Sequence, residues 1–211
     1  VITVQKIEGE DWICNCYILH NGTDAVIIDP GNTYQTIKTH LGNLQLKAIL
    51  ATHGHYDHIV NVAALKREYD IPFYIHTADS KVIKHANFYI KLISGNKATE
   101  MIEIPKVDKL IENEELLDFD FVKLQVTHIP GHTAGSVSFS FDNNLFTGDL
   151  LLKNEIGRFD LPGGNKEQLK QSVKKINSVF ENPVIFPGHG PNTTLDAERA
   201  NNKQFIEIIN G

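Results

Sequence analysis

Thr52-His53-Gly54-His55-Tyr56-Asp57-His58-Ile59 places three imidazoles and a carboxylate within six positions of the chain. Imidazole and carboxylate are ligand groups for divalent cations, and crowding them together without a partner is costly wherever they are buried. The run directly follows Lys47-Ala-Ile-Leu-Ala51, an apolar stretch that reads as a buried strand. Residues two apart in extended backbone point the same way, so His53 and His55 can converge on one point. The turn that follows redirects Asp57 and His58 towards another. The spacing suits two metal ions, whereas an exposed histidine-rich turn would leave the clustering unexplained.

Three further strand-to-loop junctions deliver side chains of the same kind. Ile129-Pro-Gly-His-Thr-Ala-Gly-Ser136 carries His132 in a glycine-punctuated turn, Thr147-Gly148-Asp149 ends a hairpin with a carboxylate, and Pro187-Gly-His-Gly-Pro191 carries His189. With the first cluster these make seven candidate ligands: His53, His55, Asp57, His58, His132, Asp149 and His189. Strand ends at one edge of a layered fold can bring such groups to a shared site while the sheets hold them rigid. Asp29 and Thr52, at neighbouring strand ends, are candidates to orient metal-bound imidazoles, with a structural cap an equal reading for Asp29. His20, His40, His76, His85 and His128 have no cluster around them and read as structural or exposed.

The elements that must hold these groups follow from periodicity and turn chemistry. Ile2–Gln5, Cys14–Leu19 and Ala25–Asp29 read as strands, the last two joined at Asn21-Gly22, an antiparallel start. A helix over Thr33–Leu41, the strand before the histidine cluster, a helix over His58–Tyr69 and a strand over Pro72–Ile75 then alternate. Asp79–Ile93 is expected to be helical, closed by Gly95-Asn96, with Lys81, Lys84, Lys91 and Lys97 on a solvated face. The second half returns to strands at Lys109–Ile111, Leu116–Phe119, Val122–Val126, Val137–Phe141 and Leu145–Thr147. An amphipathic helix over Asn165–Phe180, a strand over Val184–Phe186 and a closing helix over Leu195–Ile209 complete the reading.

At 211 residues, with 41% hydrophobic and 22% charged content, the chain has the composition of one ordinary globular domain spanning 1–211. A net charge of −6 argues against a nucleic-acid partner. No apolar run reaches the roughly 18 residues of a membrane helix. Val1-Ile-Thr-Val-Gln-Lys has no signal-peptide pattern, so the expectation is a cytoplasmic protein without a membrane partner. Cys14 and Cys16, the only cysteines, would share one face of a strand and read as reduced core thiols. Nothing in the pattern fixes an oligomeric state.

The H-x-H-x-D-H cluster, the later G-H-T-x-G-S, the T-G-D and the terminal P-G-H-G, in this order, resemble the metallo-β-lactamase superfamily over residues 14 to 191. The resemblance implies an α/β fold, a four-layer αβ/βα sandwich. It also implies a first metal on His53, His55 and His132, a second on Asp57, His58 and His189, and Asp149 bridging both. Nitrogen and oxygen ligands suit zinc, and also iron or manganese. Two divalent ions would lower the pKa of a bridging water to near neutral, as a single zinc does, and so supply a hydroxide nucleophile. Asp57, Asp149 and hydroxide cancel three of the four positive charges, which leaves a centre suited to an oxyanion.

Within the superfamily, Asp149 argues against the antibiotic-hydrolysing branch, His55 against the flavodiiron branch, and the lack of an inserted basic arm against the tRNA-processing branch. Gly157-Arg-Phe-Asp-Leu-Pro-Gly-Gly164, His189-Gly-Pro-Asn-Thr-Thr194 and Leu195-Asp-Ala-Glu-Arg199 resemble the short bacterial branch of glyoxalase II, the hydroxyacylglutathione hydrolases. That likeness implies a small-molecule thioester substrate such as S-lactoylglutathione. It makes Arg158 the candidate for a substrate carboxylate, with ordinary surface exposure the alternative. Asp160 stands in a region where the longer enzymes use tyrosine, and their C-terminal helical extension is missing. A mononuclear-iron persulfide dioxygenase and a non-catalytic metal-binding domain are the competing readings.

Overall fold

A computed structural model describes residues 1–9, 13–94 and 101–211. The chain divides into two compact units, Val1–Ile111 and Glu112–Gly211.

In the first unit six strands form one sheet in chain order: β1 (Thr3–Ile7), β2 (Cys16–His20), β3 (Asp24–Ile28), β4 (Gln45–Leu50), β5 (Phe73–His76) and β6 (Lys109–Ile111). The first three run antiparallel, and β3 through β6 pair in parallel. The change of direction is dictated by the connections. Asn21 Oδ1 accepts from Thr23 N and Asp24 N and so tightens the β2–β3 hairpin, whereas parallel neighbours need helical crossovers. Between β3 and β4 and between β4 and β5 those are α1 (Tyr34–Leu41) and the pair α2 (Tyr56–Ile59) and α3 (Val62–Tyr69). Thr33 caps α1 by accepting from Thr36 N.

Alternation decides what each face buries. Cys16, Ile18, Ala25, Ile27, Ile49, Phe73 and Ile75 pack against Ile37 and Leu41 of α1 and Ile59, Val62 and Leu65 of the second crossover. Tyr17, Leu19, Val26, Ile28, Ala48 and Leu50, on the opposite face, are buried as well. A sheet covered on both sides reads as continuous apolar runs, which is how β3 and β4 appear in the sequence.

The second unit holds a six-stranded sheet in the order β14 (Thr193–Thr194), β13 (Val184–Pro187), β10 (Asn144–Gly148), β9 (Val137–Phe141), β8 (Lys123–His128), β7 (Leu116–Asp118). Only β10 and β13 pair in parallel. A short hairpin, β11 (Leu151–Leu152) with β12 (Glu155–Ile156), follows β10. Leu145 and Ile185 pack on Leu169, Val173 and Ile176 of α5 (Lys166–Val179), on Leu195 of α6 (Leu195–Asn201) and on Phe205 of α7 (Lys203–Asn210). Phe146 stacks on Phe186 from the opposite face, ring centroids 4.9 Å apart.

Three helices depart from the periodicity reading, each for a local reason. The helix expected over His58–Tyr69 starts earlier, at Tyr56, and breaks at Asn61, whose Nδ2 donates to the carbonyls of Pro30 and Asn32. Asp57 and His58 thus sit on a helical turn. The segment expected to be one helix from Asp79 begins as a 3₁₀ turn, Val82–His85, before α4 (Ala86–Ser94). Lys81, Lys84 and Lys91 are exposed, while Gly95, Asn96 and Lys97 lie outside the described residues. The closing helix divides at Asn202, which donates to the buried Glu198 and accepts from Phe205 N, ending α6 and capping α7 with one side chain. Cys14 precedes β2 rather than lying in it.

Candidate metal centre

In the first unit the parallel strands β3, β4 and β5 all end at one sheet edge, and each is followed by polar or ligand-type side chains: Asp29, then Thr52 to His58, then Asp79. The carboxyl edge of parallel strands is where loops can converge over a rigid base. His53 Nε2 and His55 Nδ1 face each other at 3.0 Å. His58 Nε2 lies 3.5 Å from Asp57 Oδ2, and the His53 and His58 rings are 4.1 Å apart. His53 and His58 are fully buried, His55 and Asp57 partly.

Asp29 fixes the protons of this group. Its Oδ1 accepts from Thr52 N at 2.7 Å, and its Oδ2 accepts from Thr52 Oγ1 at 2.7 Å and from His58 Nδ1 at 2.9 Å. A carboxylate only accepts, so a neutral His58 carries its proton on Nδ1 and keeps the lone pair on Nε2. The Thr52 hydroxyl, having donated to Asp29, accepts from His53 Nδ1 at 3.1 Å and leaves His53 Nε2 as a lone pair too. Asp29 adopts φ +52°, a left-handed conformation that Asp and Asn tolerate.

The second unit repeats the arrangement. β8, β10 and β13 run in the same direction, and the turns after them carry His132, Asp149 and His189. Asp149 Oδ2 stands 3.5 Å from His132 Nε2 and 3.5 Å from His189 Nε2. His132 Nδ1 donates to the Arg158 carbonyl at 2.7 Å, so its Nε2 is again the lone-pair nitrogen. Gly131 holds the turn at φ +135°, where a Cβ would come within 2.2 Å of Leu169 N.

The chemistry of these donors fits divalent cations. Imidazole nitrogens and carboxylate oxygens face one another at 3.0–3.5 Å, the separation of neighbouring ligands around an ion with bonds of about 2.1 Å. Fixing the Nδ1 proton by a carboxylate, hydroxyl or carbonyl is how proteins prepare imidazole for a metal.

Side chains of other candidates have partners of their own. The Arg158 guanidinium is paired with Asp160, Nε to Oδ1 at 2.8 Å and Nη2 to Oδ2 at 2.9 Å. That hydrogen bonding holds the Asp160 carboxyl below its ordinary range. Cys14 and Cys16 are free thiols. Burial pushes Cys14 from an ordinary 9.0 up to about 12, and its Sγ lies 3.2 Å from the Asp57 carbonyl. His128 Nε2 pairs with the Ala134 carbonyl, His40 Nδ1 with that of Thr36, and His20 and His76 accept from nearby backbone N–H groups.

Sequence reasoning does not single out two groups that contact the candidate ligands or their backbone. The Arg158 carbonyl is backbone and carries no residue-type signal. Asp79 had one available, a carboxylate just past the end of a parallel strand, as Asp29 is. No helix among the described residues is long and apolar enough to cross a membrane.

Residues 9–189 match the family described as the Metallo-beta-lactamase superfamily. The probable metallo-hydrolase YqgX of Bacillus subtilis is 32% identical over 195 residues, 89% of this chain and 90% of its own. The hydroxyacylglutathione hydrolase GloC of Haemophilus influenzae is 28% identical over 200 residues, 89% and 91% of the two chains. Among solved structures, the BLEG-1 B3 metallo-beta-lactamase has a TM-score of 0.83 at 34% identity, covering 96% of this chain and 99% of that one. TTHA1623, crystallised in a di-iron-bound form, has a TM-score of 0.83 at 33% identity, with 95% and 100% covered.

Proposed function

This chain belongs to the metallo-β-lactamase superfamily, and we propose that it is a dinuclear metal-dependent hydrolase of thioesters, with S-lactoylglutathione or a compound of that class as substrate. The whole chain would act as one functional domain. His53, His55 and His132 would hold one cation, Asp57, His58 and His189 the other, and Asp149 both. The observation that carries the reading is the position of Asp149 Oδ2, 3.5 Å from both His132 Nε2 and His189 Nε2, where one carboxylate oxygen could serve both cations. Zinc is the favoured metal on its nitrogen and oxygen donors. Iron gains support from the di-iron form of TTHA1623, and manganese has the same ligand preference.

When bound, such a pair of cations supplies a water-derived nucleophile at neutral pH and Lewis-acid stabilisation of a tetrahedral oxyanion. The chain's own residues prepare for this by holding protons away from the ligand atoms: Asp29 at His58 Nδ1, Thr52 at His53 Nδ1, the Arg158 carbonyl at His132 Nδ1. Hydrolysis forms a carbon–oxygen bond and breaks the carbon–sulfur bond, with the released thiolate taking a proton from water. No side-chain nucleophile is required. Cys14 does not supply one, because its thiol is buried, directed at backbone carbonyls and pushed up to about 12.

The thioester substrate is supported by the likeness to GloC. For glutathione, Arg158 is the candidate partner of a substrate carboxylate, which would have to exchange for Asp160. A cytoplasmic location accords with two reduced thiols, and the acidic balance accords with a small-molecule substrate rather than nucleic acid. The 34% identity to BLEG-1 favours β-lactam hydrolysis as the second reading. Assays of S-lactoylglutathione and of a chromogenic cephalosporin, each with and without chelator, separate the two. Chelator-sensitive thioester turnover is expected; β-lactam turnover without thioester turnover would reverse the choice.

A further inference from the structure

Asp79 is fully buried in the turn after β5, and its Oδ2 accepts the Gly54 N–H at 2.7 Å. Gly54 is the residue between His53 and His55, whose nitrogens meet at 3.0 Å. Asp79 is itself fixed: its N–H donates to the His76 carbonyl at 3.0 Å, and its carbonyl accepts from Ile83 N at 3.2 Å. On the other side of His53, the Thr52 N–H donates to Asp29. The peptide N–H groups immediately before and after His53 are therefore each held by a buried carboxylate. One carboxylate follows β3 and the other β5, the two neighbours of β4. The contact leaves little slack, since a Cβ on Gly54 would lie 3.3 Å from Asp79 Cβ and 3.2 Å from Ile83 Cγ2. Burying a carboxylate this deeply is costly, and its hydrogen bonds offset that cost only where their geometry is held.

We propose that Asp79 is a positioning residue for the His53–His55 pair. Acting through the Gly54 N–H, it sets the separation of the two nitrogens. The inference rests on the metal-ligand reading above.

The test uses metal-depleted full-length protein titrated with Co²⁺, with competition against a chromophoric chelator and the visible cobalt spectrum as readouts. Asp79→Ala is expected to weaken one of the two cobalt affinities by about 10- to 100-fold and to change that ion's absorption, leaving the other within about threefold. Asp79→Asn, whose amide oxygen can still accept from Gly54 N, should recover most of the loss. Asp79→Glu keeps the charge but moves the acceptor by one methylene, so it should lower the same affinity; it carries the test should the alanine variant not fold. Wild-type affinities and spectrum in Asp79→Ala or Asp79→Glu would overturn the proposal, as would an equal loss at both sites together with a lowered melting temperature. Failure of the wild-type protein itself to bind two cobalt ions would instead overturn the metal reading, and the inference with it.

Discussion

Replacing Asp29 by asparagine should separate the folding role of this residue from its role in preparing ligands. The alanine variant cannot do so. It removes the acceptor of three buried hydrogen bonds, each worth about 1.5–3 kcal/mol when one partner is charged. It also places a residue with no polar side chain at φ +52°, at a further cost of about 1–2 kcal/mol. Even with strong non-additivity, a loss of about 4 kcal/mol or more approaches the roughly 5–15 kcal/mol that holds a typical domain folded. Asparagine keeps the size and tolerates the backbone.

With its oxygen on Thr52 N, the asparagine amide NH₂ faces Thr52 Oγ1 and His58 Nδ1, which previously met an acceptor. His58 then accepts only if its proton moves to Nε2, or the Thr52 hydroxyl turns and donates to His53 Nδ1 with the same effect there. The opposite amide orientation sets two donors against each other at Thr52 N. In the orientation that keeps the Thr52 N–H bond, at least one imidazole therefore loses its lone pair at Nε2; the opposite orientation costs that bond instead. The expected result is a folded protein, destabilised by about 1–2 kcal/mol, in which at least one metal affinity falls by about 10- to 100-fold. Urea unfolding of the metal-free variant gives the first number and competition titration the second. Long-range ¹⁵N–¹H spectra of the histidines report the tautomers directly. An Asp29→Asn protein that keeps both Nε2 lone pairs and wild-type affinity for both metals would refute the reasoning.

Other expectations follow from single contacts. His55→Ala and Asp57→Ala should each reduce chelator-sensitive turnover by orders of magnitude while circular dichroism stays unchanged; undiminished turnover in either would count against its ligand role. Glu198 is fully buried and accepts from Thr193 Oγ1 at 2.6 Å, Asn202 Nδ2 at 2.8 Å and Asn154 N at 2.9 Å. Glu198→Ala should cost about 3–5 kcal/mol in urea unfolding, with no direct effect on metal stoichiometry in the folded fraction. Gly131→Ala forces a Cβ against Leu169 N at a positive φ; a loss of about 3 kcal/mol or more and weakened metal binding are expected. Burial holds the Cys14 and Cys16 thiols protonated. Above pH about 9 the unfolded chain releases protons that the native state keeps, so stability falls as pH rises, by up to about 1.4 kcal/mol per pH unit for each thiol. Unfolding of metal-free protein at about pH 8 and about pH 10.5 measures this, and equal stability at both would contradict it.

The candidate ligands were legible because ligand chemistry is written in residue types. The H-x-H-x-D-H run after an apolar strand, and single His or Asp residues in glycine-rich turns after β8, β10 and β13, carry their own signal. Parallel strands β3 to β5 were legible as apolar runs separated by helical spacing. What holds the ligands was less visible. Asp79 meets Gly54 from 25 residues away, and only the pairing of β4 with β5 brings them together. The Arg158 carbonyl reaches His132 as a backbone atom, which no residue type announces. The break at Asn202 depends on Glu198 being buried, a tertiary fact that overrides helical periodicity between Leu195 and Ile209. Thr193–Thr194 and the Leu151–Ile156 hairpin were too short to leave a periodic trace.

Metal content per chain, measured on protein purified without added metal and paired with S-lactoylglutathione turnover on the same sample, tests the dinuclear thioesterase most directly. About two metal equivalents with hydrolysis that chelator abolishes and metal restores is the expected result. One iron per chain, with oxygen uptake on glutathione persulfide and no thioester turnover, would contradict it and make a mononuclear dioxygenase the better account.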